Sequence, residues 1–100
     1  MIVVAGTITI DPANNGRLEE LLHELIPATR AEVGNVDYGF WRSLGEPGGW
    51  HIFEEWKDED ALNEHMGSAH MAAFIGAMGD LGVTQVDLQR YEISGKSKLM

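Results

Sequence analysis

The sequence predicts an α+β fold of four strands and two helices in the order β-α-β-β-α-β, and three features predict it. Two stretches, about Gly16 to Val33 and Ala61 to Ala77, repeat apolar residues at three- and four-residue steps. Others are rich in β-branched or aromatic residues and alternate along the chain. Asp11-Pro12, Gly34-Asn35 and the run Gly45-Glu46-Pro47-Gly48-Gly49 separate these stretches with residues that stop regular structure or turn the chain.

Ile2 to Ile10 is thinly polar, with Thr7 and Thr9 alternating against Ile8 and Ile10, and reads as a strand ended by Asp11-Pro12. In the first helix Leu18, Leu22, Leu25, Thr29 and Val33 share one side, while Glu19, Glu20, Glu24 and Arg30 take the other. His23 falls on the charged side and is expected in solvent. Pro27 removes an amide donor and crowds the His23 carbonyl, which predicts a kink or a tightened turn. Tyr38 to Leu44 and Trp50 to Trp56 flank the glycine-rich run and form a β-hairpin. The second helical stripe, Ala61, Leu62, Met66, Ala69, Ala73 and Ala77, is interrupted at Gly67-Ser68, where Ser68 is placed to cap a fresh segment. Val83, Val86, Leu88, Tyr91 and Ile93 give the last strand. The chain is thus expected to hold one domain, residues 1–94, and a polar tail, residues 95–100.

Two crossovers fold this order into a four-stranded antiparallel sheet with both helices on one face, the ferredoxin-like plan. The other face has no layer of its own, yet both phases of the middle strands carry large side chains. Phe40, Arg42 and Leu44 alternate with Trp41 and Ser43; Trp50, Ile52 and Trp56 alternate with His51 and Phe53. A wet face of that kind exposes more apolar area than a monomer usually tolerates, so a homodimer packed face to face is expected. His51 would then point towards the interface.

One hundred residues with 44% hydrophobic content bury one modest core. Seven basic against sixteen acidic side chains give a net charge of −9, which repels phosphate backbones and anionic headgroups and argues against nucleic acid or a membrane as partner. Without cysteine there is no disulfide, thiolate metal site or cysteine nucleophile, which is compatible with the cytoplasm. The start, Met1-Ile2-Val3-Val4-Ala5-Gly6, lacks a basic, long apolar leader, and no apolar run approaches the roughly 18 residues of a membrane span. A soluble protein beginning at Met1 is expected.

The string Phe53-Glu54-Glu55-Trp56-Lys57-Asp58-Glu59-Asp60-Ala61-Leu62, then His65, then Ser68-Ala69-His70-Met71 with Phe74 after it, resembles the signature of the antibiotic biosynthesis monooxygenase domain. Thr29-Arg30-Ala31-Glu32-Val33-Gly34 and Tyr38 are similar to that family's helix end and second strand, and the likeness runs from Val3 to Glu92. The resemblance implies a dimeric α/β barrel and, among the family's activities, oxidation of a quinol, phenol or polyketide-type aromatic by O2 without metal or flavin. Such chemistry needs a base, because ground-state dioxygen reacts readily only with an electron-rich anion, and a dry pocket to hold that anion. His65 and His70 lie in the stretch that the resemblance places beside the pocket and are the candidate bases. Trp56, Tyr38, Phe74 and Met66 would pack the ring, Arg42 would hold a substrate anion, and Glu54 would fix a histidine tautomer by accepting its ring N–H.

Each candidate also has a structural reading. The histidines could bond helix ends, Trp56 and the methionines could fill the core or the interface, and Glu54 could pair with Arg42. No metal is expected, since five residues on an unbroken helix turn His65 about 140° from His70. Only the break at Gly67-Ser68 could bring them together. Haem degradation is disfavoured: where haem-degrading relatives carry Asn, Trp and His, the corresponding residues look like Thr7, His65 and Ile75. The alternative to an enzyme is a non-catalytic dimeric module of the same fold that binds a small ligand or serves in stress.

Overall fold

A computed structural model describes residues 1–100. Strand β1 (Ile2–Thr9) leads through a 3-10 turn (Pro12–Asn14) into α1 (Asn15–Arg30). The hairpin of β2 (Asn35–Arg42) and β3 (Gly49–Trp56) follows, then α2 (Glu59–Met66), α3 (Ala69–Met78) and β4 (Gln85–Glu92). The sheet order is β2-β3-β1-β4 and every neighbouring pair is antiparallel, so the ferredoxin-like α+β plan holds. The second helical stripe is two helices rather than one. As the sequence predicts, Gly67 ends α2 and the Ser68 hydroxyl accepts the Met71 amide to start α3.

Register divides the sheet into two faces. Ile2, Val4 and Ile8 of β1 stand opposite Trp56, Glu54 and Trp50 of β3, and Tyr38 and Phe40 of β2 oppose Glu54 and Ile52. These residues lie under the helices, where Leu18, Leu22 and Leu25 of α1, Leu62 of α2 and Phe74 of α3 complete the core. The other face carries Val3, Thr7, Trp41, His51, Phe53 and Tyr91. Trp41 lies across Gly39, whose missing Cβ makes room for the indole, and both Trp41 and Tyr91 remain half exposed. In a single chain every residue of β4 is exposed.

Several elements differ from the sequence expectation by two residues or more at an end. Helix α1 stops at Arg30, and Val33, expected on its apolar side, is almost fully exposed. The chain turns early because Glu32 and Asn35 amides donate to the Thr29 and Glu32 carbonyls, and Gly34 is drawn onto the end of β3 by the Lys57 amide. Strand β2 begins at Asn35 and ends at Arg42, which leaves Leu44 exposed in the hairpin loop, where Gly48 takes a φ of 77°. Strand β4 spans Gln85 to Glu92, shorter than the run read from Val83 to Ile93. Pro27 does not end α1. The helix continues through it to Arg30, and Pro27 and His23 both lie on its exposed side.

Candidate functional site

The early end of α1 has a chemical consequence: it turns Glu32 inward, towards the junction of α2 and α3. His65 occupies the last turn of α2 and His70 the first turn of α3. The break between the helices is pinned by Ser68, whose hydroxyl donates to the His65 carbonyl at 2.6 Å. With the helix broken there, the five-residue spacing no longer holds the two rings apart, and their centroids lie 5.8 Å from each other.

One carboxylate oxygen joins them. Glu32 Oε2 is 2.7 Å from His65 Nδ1 and 2.8 Å from His70 Nε2. A carboxylate offers only lone pairs, so each ring must donate an N–H to it. In the neutral form of each ring, this leaves Nε2 of His65 and Nδ1 of His70 as the nitrogens without a proton. The His65 ring is completely buried, its Nε2 has no hydrogen-bond partner, and burial pushes its pKa below the ordinary value while the Glu32 hydrogen bond works the other way. His70 is 27% exposed and Glu32 17%, so this end of the cluster opens to solvent.

The sheet supplies the inner wall. Trp56 and Tyr38 pack against the His65 ring, with centroids at 4.7 and 5.3 Å, and hold it from two sides. The Trp56 indole N–H donates to Glu54 Oε1 at 3.0 Å. Glu54 is buried with no cationic partner; desolvation raises its pKa to about 7, with the Trp56 hydrogen bond opposing and the Glu32 charge adding. Burial and the Glu54 charge likewise push the Tyr38 phenol above its usual range. The Thr29 hydroxyl, also buried, has no partner of good geometry.

A groove of about 90 Å³ between α1 and α3 is lined by Leu21, Glu24, Leu25, His70, Ala73 and Phe74. Of the residues expected in a site, His65, His70, Tyr38 and Trp56 are brought into one cluster. Glu54 joins it through Trp56, and Phe74 faces the groove beside His70. Glu54 does not orient a histidine as expected; it lies on the strand side of Trp56, and the residue that fixes both tautomers is Glu32. Nothing in the spacing pointed to Glu32, which is 33 positions from His65. Arg42 is held elsewhere, paired to Glu19 of α1 at 2.9 Å and stacked over Trp50, so neither Glu54 nor the cluster reaches it. Met66 is half exposed on α2 and lines no groove.

Comparison with known proteins agrees with this architecture. Residues 1–77 match the family model described as antibiotic biosynthesis monooxygenase. The chain is 31% identical to YcnE of Bacillus subtilis, named as a candidate monooxygenase, over 94% of this chain and 99% of that protein. Among solved structures, a candidate antibiotic biosynthesis monooxygenase from Deinococcus radiodurans is 28% identical, with a TM-score of 0.90 over 100% of this chain and 99% of that one. Rv0793 from Mycobacterium tuberculosis is 27% identical, with a TM-score of 0.86 over 97% and 98%. With the family model covering most of its length and these relatives matching nearly end to end, the chain belongs to the antibiotic biosynthesis monooxygenase family.

Proposed function

We propose that the protein is a cofactor-independent monooxygenase that oxidises a quinol, phenol or polyketide-type aromatic with O2, with His70 as the base that touches substrate. Family membership supports a monooxygenase-like function; the substrate class and the residue roles are our reading of the cluster. One observation carries it: Glu32 holds both histidines as donors, leaving His70 with a bare nitrogen on a ring that lines an apolar groove. Deprotonating a phenol there makes an electron-rich anion able to reduce O2 directly. One oxygen atom enters the ring and the other leaves as water, so a hydroquinone and O2 give a hydroxyquinone and water, with no external reductant.

Glu32 would act as a positioning residue for His70, and sealed His65 as the second fixed partner that keeps Glu32 in place. Phe74, Leu25 and Ala73 offer the ring an apolar wall. Trp56 and Tyr38 back the cluster from the sheet side without an open path to solvent.

A homodimer belongs to this reading, with the face bearing Trp41 and Tyr91 covered by a second copy. No helix is long and apolar enough to cross a membrane, and a chain without cysteine suits a cytoplasmic enzyme.

A second reading is favoured by the size of the groove. At about 90 Å³ it is smaller than the roughly 150 Å³ cavity that takes up benzene elsewhere, so a single chain encloses part of an aromatic ring rather than all of it. That suits a non-catalytic module binding a small ligand. Oxygen uptake with a panel of hydroquinones and anthrones, run with chelator, separates the two. The enzyme reading expects turnover that falls about 100-fold or more in His70→Ala and less steeply in Glu32→Gln. No uptake by the wild type on any of them, or equal uptake by His70→Ala, overturns it.

A further inference from the structure

We propose that Glu32, His65 and His70 form a three-ligand site for a divalent transition cation of the zinc class, and that a bound cation blocks proton transfer by placing a proton on the His70 ring nitrogen that would serve as the base. The block rests on the proposed function; the binding site does not.

One donor atom from each of the three residues lies within 4.8 Å of the other two. A cation bonded to nitrogen and oxygen at about 2.1 Å in tetrahedral geometry needs its donors about 3.4 Å apart. Glu32 Oε2 sits closer than that to both ring nitrogens, at 2.7 and 2.8 Å, so it must back away by less than an ångström, while the two nitrogens, within 4.8 Å of each other, must draw together by up to about 1.4 Å through rotation of the partly exposed His70 ring. Glu32 can do so: it lies in the turn beyond α1, partly exposed, on a side chain with rotatable bonds. The nitrogens replace their donated N–H by the other neutral tautomer, which moves each proton to the bare ring nitrogen and leaves the net charge of the rings unchanged.

The donor set selects the class of ion. Two imidazoles and one carboxylate suit zinc, cobalt, nickel or iron(II), whereas magnesium and calcium prefer oxygen throughout. Rigidity comes from the buried end, where Trp56 and Tyr38 clamp the His65 ring and the Ser68 hydroxyl fixes the backbone beside it. Access comes from the other end, where His70 and Glu32 reach solvent and leave a side open for water as a fourth ligand. The net charge of −9 raises the local concentration of cations.

The test is calorimetric titration of the chelator-stripped, full-length protein with zinc chloride, with cobalt(II) absorption as a second measure of coordination. Saturable binding of one ion per chain is expected, weakened about 100-fold or more in both Glu32→Gln and His70→Ala and unchanged in His23→Ala, which alters an exposed histidine of α1. Both test substitutions are at partly exposed positions, and thermal melts check that the variants fold. No saturable binding overturns the site, as does binding that survives in both variants or is lost in His23→Ala. Zinc at saturation should abolish hydroquinone-dependent oxygen uptake; full activity with zinc bound overturns the block. If zinc binds as expected but no uptake is seen with or without it, the metal site stands and the catalytic reading falls.

Discussion

Glu54 offers the sharpest test of the interior, because its carboxyl is buried beneath the helices with one indole N–H and no cation to compensate it. Its pKa is raised from an ordinary 4.5 to about 7, principally by desolvation. At about 1.4 kcal/mol for each tenfold change in proton affinity, the ionised form costs the folded state up to about 3 kcal/mol relative to the unfolded chain. The sign follows from linkage. The folded protein holds the proton more tightly, so stability falls as pH rises from about 4.5 to about 7, and the penalty is complete above that range. Glu54→Gln keeps an oxygen for the Trp56 N–H and has nothing to ionise. Urea unfolding of both proteins, followed by tryptophan fluorescence at matched protein concentration, should show the stability of the variant minus that of the wild type growing by about 1–3 kcal/mol between pH 4.5 and pH 8. Other titrating groups cancel in that difference. A constant difference across the range, or one that shrinks with rising pH, would refute the claim that this carboxyl is desolvated and unpaired.

Further outcomes follow from particular contacts. Ser68→Ala removes the α3 cap and the hydroxyl bond to the His65 carbonyl; it should cost about 1–2 kcal/mol in denaturant unfolding and should loosen the His65–His70 pair, seen as altered ring resonances in NMR. Gly48→Ala places a Cβ against the Ile10 carbonyl at a φ of 77° and should destabilise by at least about 1 kcal/mol, measured by the same unfolding. Trp41→Asp sets a charge on the open sheet face and should convert a dimer into a monomer by light scattering at micromolar concentration; a wild type that is already monomeric there would remove the reason for expecting a dimer. Leu22→Ala should cost about 2–5 kcal/mol by opening a cavity beneath α1.

Much of the architecture is legible in the sequence because periodicity reports burial directly. Leu18, Leu22, Leu25 and Thr29 recur at helical spacing and are all buried against the sheet. The alternation of Trp50, Ile52 and Trp56 with His51 marks the core face of β3. Gly67-Ser68 is visible as a break because glycine and a capping hydroxyl act locally. Boundaries are less legible. Val33 continues the apolar stripe of α1 in sequence, but backbone bonds to Gly34 and Asn35 end the helix before it. Of the candidate site, the two histidines and the aromatic residues are expected from the resemblance of the residue string to the family, whereas the partners of Glu54 and Arg42 are not legible, because each depends on which long-range neighbour it meets.

By itself the chain determined its class, its order of strands and helices and the helix break at Ser68, all of which depend on neighbours a few residues apart, while the candidate imidazoles followed from its resemblance to a family. Only the tertiary structure decided that Glu32 binds both rings, that His65 is sealed while His70 faces a groove, and that Glu54 is left buried without a cation. Hydrogen-bond partners and dielectric environment are set by residues some thirty positions apart, brought together by packing α1, α2 and α3 over the sheet, and no local pattern records them.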